Sequence, residues 1–175
     1  MYGLAALAEH LDKERPVVVQ AHDFPDHDAV ATAYALSELL KRQGRTVYLG
    51  YGGTIQSESL RDAIAHLEID IHQVGELDLG DDAQLIVVDG FAGNSNMTGV
   101  PGEVVAVIDH HPPPSPADCA YADIRDEYGA CSTILYDYYR TAGVALGHNV
   151  ATALLMGIMM DTAFMTRGVA DVDLE

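Results

Sequence analysis

The chain has 175 residues, enough for one well-packed domain and too few for two full ones. Hydrophobic residues make up 49% of it and the mean hydropathy is +0.06, which excludes a disordered tail. Against 27 acidic residues stand only 9 basic ones, and the formal net charge of -18 disfavours long nucleic-acid duplexes, whose binding relies on many Lys and Arg contacts to phosphate.

Leu4, Leu7, Ala8 and Leu11 fall on one face of a short first helix that Arg15-Pro16 interrupts. Val17 to Ala21 reads as a fully buried strand ending at His22. Asp28 to Arg42 is predicted helical, with Val30, Ala33, Tyr34, Leu36, Leu39 and Leu40 forming a broad apolar face. Gly44 stops it, and Thr46 to Leu49 make a second strand before the Gly52-Gly53 turn. Ser57 to Leu67 suits a third helix capped by Ser57. A short strand around Ile69 to Val74 and an acidic loop from Gly75 to Asp82 follow. Leu85 to Val88 and Val104 to Ile108 are buried strands ending at Asp89 and Asp109. Pro112-Pro113-Pro114 and Pro116 impose a rigid, extended exit. Tyr121 to Ile124 reads as an edge strand, and Cys131 to Tyr139 and Asn149 to Met160 close the chain as two helices. The alternation of short β-branched runs with helical stretches predicts an α/β fold: a doubly wound, mainly parallel sheet of about five strands with helices on both faces.

Strand ends at His22, Asp89 and Asp109 each deliver a His or an Asp, and in open parallel sheets ligand sites collect outside the carboxyl ends of the strands. Asp also follows strands as a turn former, which accounts for one such residue but not for the set with its histidines. In His22-Asp23-Phe24-Pro25-Asp26-His27-Asp28 the proline bends the loop and two aspartates stand at the mouth of a helix, where Asp28 could act as cap. Capping leaves His22 and the second carboxylate unexplained. With Asp89, Asp109-His110-His111 and Asp161 added, five carboxylates and three imidazoles are expected to converge on one rim. Carboxylates so crowded repel one another and raise each other's pKa values, and a pair of divalent cations removes that penalty. Oxygen and imidazole donors without thiolate suit Mn²⁺ or Mg²⁺, with Co²⁺ and Zn²⁺ as competitors. Two ions about 3.5–4 Å apart, bridged by a carboxylate and a water, clamp the attacking and leaving oxygens of a phosphoryl displacement, with that water as nucleophile.

The chain resembles the DHH phosphoesterases, a family that includes the RecJ exonucleases, the nanoRNA and pAp phosphatases, exopolyphosphatase-related proteins and manganese inorganic pyrophosphatases. The resemblance rests on four segments in order: His22 with Pro25-Asp26-His27-Asp28, Val87-Val88-Asp89-Gly90, Ile108-Asp109-His110-His111-Pro112, and Gly157-Ile158-Met159-Met160-Asp161-Thr162. It implies that His22, Asp26 and Asp89 hold one metal and that Asp28, Asp89, His110 and Asp161 hold the other, with Asp89 as the bridge. It implies further that Asp109 orients an imidazole and that His111 faces the substrate phosphate. Ser132-Thr133 resembles a small-residue loop near the family's site, and equally a helix cap. The chain departs from the pattern at His27, where a Gly is common, and at Thr32, where a Ser is frequent. His27 is expected to be a partly exposed turn residue. Tyr136, Tyr138 and Tyr139 are expected to pack a helix, and His10, His66, His72 and His148 lie off every motif.

The resemblance implies a metal-dependent phosphoesterase acting on short oligoribonucleotides, pAp, cyclic-dinucleotide products or short polyphosphate. A non-catalytic metal- or nucleotide-binding module of a larger protein is the alternative. Family members continue into a smaller domain with basic groups for the substrate, and this chain is expected to lack that domain and to have little activity by itself. The expected partners are a small phosphorylated substrate, including a short single-stranded oligonucleotide, and a second copy as homodimer. Lys13 and Lys41 are the only lysines, and the Asp-rich surface suggests adaptation to high salt, where screening relieves its self-repulsion. Cys119 and Cys131 form no CxxC pair and are expected as reduced, partly buried thiols. Val150 to Met160 is shorter than the roughly 20 apolar residues a membrane span needs. With no basic leader, these features predict a soluble, cytoplasmic chain without a membrane partner.

Overall fold

The structure is a computed structural model that describes residues 2–113 and 117–174. Pro114 and Pro116 of the expected extended exit lie outside the described residues. In chain order the elements are α1 (Leu4–Glu9), β1 (Val17–Ala21), α2 (His27–Arg42), β2 (Val47–Tyr51), α3 (Glu58–His66), β3 (Ile71–Gln73), β4 (Gln84–Val88), β5 (Glu103–Asp109), β6 (Tyr121–Ile124), α4 (Cys131–Ala142) and α5 (His148–Asp161). Single turns of 3-10 helix lie at Val74–Glu76 and Asp171–Leu174.

The strands form one six-stranded sheet in the order β3-β2-β1-β4-β5-β6, every neighbouring pair parallel. That is one strand more than the approximate count expected, because β3 pairs with β2 through only Leu49–Tyr51 against Ile71–Gln73. The central strands β1 and β4 are buried along their whole length, as β-branched runs such as Val17-Val18-Val19 require of strands covered on both faces. The direction of winding reverses between β1 and β4, so a crevice opens at their carboxyl ends.

The two faces are covered unequally. Val17, Val19, Ile86, Val88 and Ile108 point into one large apolar cluster with residues of all five α-helices, among them Leu36 and Leu40 of α2, Ile134 and Tyr138 of α4, and Leu154 of α5. On the opposite face Val18 and Leu85 meet Leu77 and Leu79, and Val87 and Val107 meet Phe91. The 3-10 turn at Val74–Glu76 lies on this second face, so helical segments flank both sides. The cause is in the connections. The crossovers from β1 and β2 carry α2 and α3, whereas those from β4 and β5 carry no helix among the described residues.

Local choices at the start of α2 differ from the sequence expectation. The helix begins at His27, and Asp26 is its N-cap, accepting from the Ala29 N–H at 3.0 Å. Asp28 therefore sits in the first turn and does not cap its own helix. It caps another: its carboxylate accepts from the backbone N–H groups of Cys131 at 2.6 Å and Ser132 at 2.8 Å, at the N-terminus of α4. Ser132 and Thr133 are accordingly not cap side chains, since Ala130 holds the N-cap position of α4 without a side-chain bond. His27 is buried rather than a partly exposed turn residue, because its ring turns towards α3, with Nε2 3.3 Å from Ser59 Oγ. Tyr138 and Tyr139 are buried packing residues, the latter donating to the Ala35 carbonyl at 3.0 Å. Both cysteines are free, Cys131 buried and Cys119 partly so. Among the described residues no helix is long and apolar enough to cross a membrane.

Candidate metal centre

Five chain segments meet at the β1/β4 crevice. His22 and Asp26 come from the turn between β1 and α2, Asp28 from the first turn of α2, and Asp89 from the residue after β4. Asp109 ends β5 and is followed by His110 and His111, and Asp161 ends α5. The last of these arrives only because α5 crosses α2 and α4 closely at Gly157. A Cβ there would come within 2.9 Å of Asp28 Oδ1 and collide with Ser132 Oγ. Asp89 itself sits at φ 52°, a left-handed conformation that Asp tolerates better than most residues, and this turns its carboxylate to the centre of the cluster.

The distances define three overlapping groups. His22, Asp26 and Asp89 lie together, as do Asp28, His110 and Asp161, and a third group joins Asp89 and Asp109 with His110 and His111; within each, one ligand atom per residue lies within 4.8 Å of the others. His110 Nε2 is 3.2 Å from Asp161 Oδ2, 3.5 Å from Asp89 Oδ1 and 4.0 Å from Asp28 Oδ2. His22 Nε2 is 3.7 Å from Asp89 Oδ2. Asp89 thus stands between the two flanking groups.

Two imidazoles are held by main-chain carbonyls. His22 Nδ1–H donates to the Asp23 carbonyl at 2.8 Å, and His110 Nδ1–H to the Tyr128 carbonyl at 3.1 Å. A carbonyl only accepts, so in each neutral ring the proton is on Nδ1 and Nε2 carries a lone pair. Those lone pairs face carboxylates. Among the described residues His110 Nε2, Asp89 Oδ1 and Asp109 Oδ2 are buried without any hydrogen-bond partner. Acceptors crowded on acceptors are an arrangement a cation resolves, and an oxygen and nitrogen donor set of this kind fits a divalent ion.

The electrostatics agree with the geometry. Burial raises the Asp89 carboxyl well above its ordinary pKa, with Asp28, Asp26, Asp109 and Asp161 adding to the effect. Asp28 is raised to about 6, by burial first, with Asp161 and Asp26 adding and the Ser132 and His110 contacts opposing. Asp161 is raised as well, by burial and Asp26, against the pull of His110. His111 is the exposed member, with 59% of its side chain open to solvent. Its Nδ1 and its backbone N–H both donate to Asp109 Oδ1 at 2.9 Å. That bond to Asp109 raises the imidazole pKa, which burial alone would lower.

An open pocket of about 430 Å³ lies over the cluster, and His22, Asp26, Asp89, Asp109, His111 and Asp161 all line it. Asp28, which is buried, and His110, whose Nε2 is buried, do not line it. All eight residues singled out in the sequence are therefore brought to one site. Sequence reasoning missed Phe91, Asn94 and Asn96, which complete the pocket wall. Two Asn in the turn-rich stretch after a strand-ending Asp were the available signal. It also missed the Tyr128 and Asp23 carbonyls, which no side-chain pattern encodes.

Residues 16–158 match the DHH family, N-terminal domain. An uncharacterized protein of Methanocaldococcus jannaschii is 32% identical over 164 residues, which are 94% of this chain and 34% of that protein. A probable manganese-dependent inorganic pyrophosphatase of Exiguobacterium sp. is 28% identical over 149 residues, 83% of this chain and 48% of its own length. The fold is similar to that of an exopolyphosphatase-related protein from Bacteroides fragilis, with a TM-score of 0.66 at 20% identity over 94% of this chain and 52% of the other. This chain spans about a third to a half of the length of the curated relatives it matches.

Proposed function

We propose that this chain, which belongs to the DHH family, is the metal-binding part of a phosphoesterase that hydrolyses small phosphate esters or anhydrides with the help of two divalent cations. The observation that carries this reading is the set of buried atoms without hydrogen-bond partners, His110 Nε2, Asp89 Oδ1 and Asp109 Oδ2, at an open pocket that Asp89 and Asp109 line. Mn²⁺ is the first candidate, in keeping with the name of the Exiguobacterium relative, and Mg²⁺, Co²⁺ and Zn²⁺ suit the same donors. We assign His22, Asp26 and Asp89 to one ion and Asp28, Asp89, His110 and Asp161 to the other, with Asp89 contributing to both. When bound, the ions supply Lewis acidity to the phosphoryl group and clamp its attacking and leaving oxygens.

The chain's own residues do the rest. The Asp23 and Tyr128 carbonyls fix the His22 and His110 tautomers, so Nε2 of each keeps its lone pair for a cation. Asp28 binds the α4 N-terminus while facing His110, which locks that side of the site to the helical layer. Asp109 holds His111 through Nδ1 on a ring that lines the pocket, and its hydrogen bond raises the imidazole pKa, which favours the protonated form. His111 is thereby suited to hydrogen-bond a phosphoryl oxygen or to give the proton at Nε2 to the leaving oxygen.

The candidate substrates are short oligoribonucleotides, pAp, cyclic-dinucleotide products and short polyphosphate. We place the choice among them largely in segments outside these 175 residues, since the activity proposed is that of a longer protein. The test is Mn²⁺-dependent hydrolysis of a model phosphodiester and of pyrophosphate, comparing the wild type with Asp89→Asn in the same length of chain. The variant is expected to lose more than the roughly 10–100-fold that outer partners of metal ligands cost. Equal rates in both proteins would overturn the assignment, and tight phosphate binding with no turnover in the longer protein would favour a non-catalytic sensor instead.

A further inference from the structure

The loop that follows β4, residues 90–98, is fastened to the rim of the pocket by groups that belong to no ligand set. Asp23 accepts from the Thr98 N–H at 3.0 Å and from Thr98 Oγ1 at 2.8 Å, while its own N–H donates to the Asn96 carbonyl at 2.7 Å. Gln20, buried in β1, donates from Nε2 to the Thr98 carbonyl at 2.6 Å. Gly52 leaves the room this needs, because a Cβ there would overlap the Asp23 carboxylate. Inside the loop the Asn94 N–H donates to the Phe91 carbonyl at 3.3 Å and the Met97 N–H to the Asn94 carbonyl at 3.0 Å, above a buried Phe91 ring.

The backbone of the loop is thus committed, and the two amide side chains are not. Asn94 and Asn96 both line the pocket, and neither side chain has a hydrogen-bond partner among the described residues. Apart from the imidazoles of His22 and His111, they are the only side-chain donors in the pocket wall among the described residues, and none of those lining residues is Lys or Arg. A cationic side chain at this place would be drawn onto the carboxylates and compete with a metal ion. An amide offers two N–H donors without charge and so leaves the carboxylates free.

We infer that Asn94 and Asn96 form a subsite for phosphoryl oxygens, on a loop that Asp23 holds in position. The inference rests on the proposed reading of the pocket as a metal-dependent phosphate site and names residues of this chain that grip the substrate there. Asp23 is a positioning residue: it reaches the subsite only through Thr98 and Asn96.

The test is calorimetric titration of the Mn²⁺-loaded chain with inorganic phosphate and, separately, with adenosine 5′-monophosphate, for the wild type, Asn94→Ala, Asn96→Ala and the double variant. Each single change is expected to weaken both ligands by about tenfold, the loss of one hydrogen bond to a charged group, and to leave Mn²⁺ affinity and the melting temperature unchanged. Asp23→Ala should weaken phosphate in the same way, and Asp23→Asn, which keeps an acceptor for Thr98, should restore most of it. A double variant with unaltered phosphate affinity overturns the inference alone, provided Mn²⁺ and phosphate bind to the wild type. Weakening of the nucleotide without weakening of phosphate overturns it in favour of a base or ribose contact. A wild-type chain that takes up no Mn²⁺, or none of the phosphate when loaded, overturns the inference together with the reading it rests on.

Discussion

Around Arg125 every buried charge finds its opposite within the chain, whereas at the carboxyl ends of β1 and β4 carboxylates face one another. The Arg125 guanidinium donates to both oxygens of the fully buried Asp123, at 2.8 and 2.9 Å, to Asp137 at 2.8 Å and to the Tyr128 hydroxyl at 3.0 Å. The Tyr138 hydroxyl also donates to Asp123, at 2.9 Å, and lies 2.7 Å from the Tyr121 hydroxyl. At the crevice, by contrast, Asp89, Asp28 and Asp161 crowd two imidazoles, and buried polar atoms there are left without hydrogen-bond partners among the described residues. Burial of charge is costly in both places. The first cluster offsets the cost internally and fastens β6 to α4. The second has no such internal offset, and a cation would supply the missing charge. The two are joined, since the Tyr128 N–H donates to the Arg125 carbonyl at 3.0 Å, and the same turn presents the carbonyl that fixes His110.

The largest effect that would break this contrast comes from Arg125. Removing its charge as Arg125→Met strands Asp123 and should cost about 3–5 kcal/mol of stability in urea denaturation. Asp89→Asn in the metal-free chain should leave stability unchanged or raise it, because it deletes a charge with no counter-charge. A similar loss in both variants would erase the distinction.

A smaller effect is the pH dependence of the metal-free chain. Asp28 has a folded-state pKa raised from 3.8 to about 6 by burial, so the folded form holds its proton more tightly than the unfolded one. Its stabilising contribution is fully present below about pH 4 and is lost as pH rises through about 6, a change on the order of 3 kcal/mol at 1.36 kcal/mol per unit. Melting temperatures should therefore fall across that window, less so in Asp28→Asn, which keeps an acceptor for the α4 N-terminus. Saturating Mn²⁺ should cancel the fall, since cations favour the ionised carboxylates. A metal-free profile that rises across the window would contradict the charge crowding.

The smallest effect concerns exposed charge. Arg15 and Glu103 lie 2.9 Å apart with Glu103 62% exposed, and Glu103→Gln should change stability by less than about 1 kcal/mol in the same denaturation experiment. A loss as large as that of Arg125→Met would show that burial is not what separates the pairs.

Much of this was legible in the sequence, for identifiable reasons. The runs Val17-Val18-Val19 and Leu85-Ile86-Val87-Val88 read as central strands because strands covered on both faces need no polar alternation. The site residues read as a set because each stands at a strand or helix end, where the doubly wound topology gathers them. What could not be read depends on residues far away in the chain. Whether Asp26 or Asp28 caps α2 is decided by the N-terminus of α4, which claims Asp28 across about a hundred residues of sequence. The burial of His27 depends on Ser59 of α3, and the tautomers of His22 and His110 on main-chain carbonyls. The loop carrying Asn94 and Asn96 has no periodicity, and only its anchoring to Asp23 gives it a place.

The central claim, that the unpaired cluster is a two-cation site, is tested most directly by calorimetric titration of the metal-free chain with Mn²⁺ at neutral pH, beside Asp89→Asn. The account predicts two ions per chain in the wild type and loss of tight binding at both positions in Asp89→Asn, since that carboxylate stands between the two donor sets. Absence of Mn²⁺ binding in the wild type, or unchanged binding after Asp89→Asn, would contradict it.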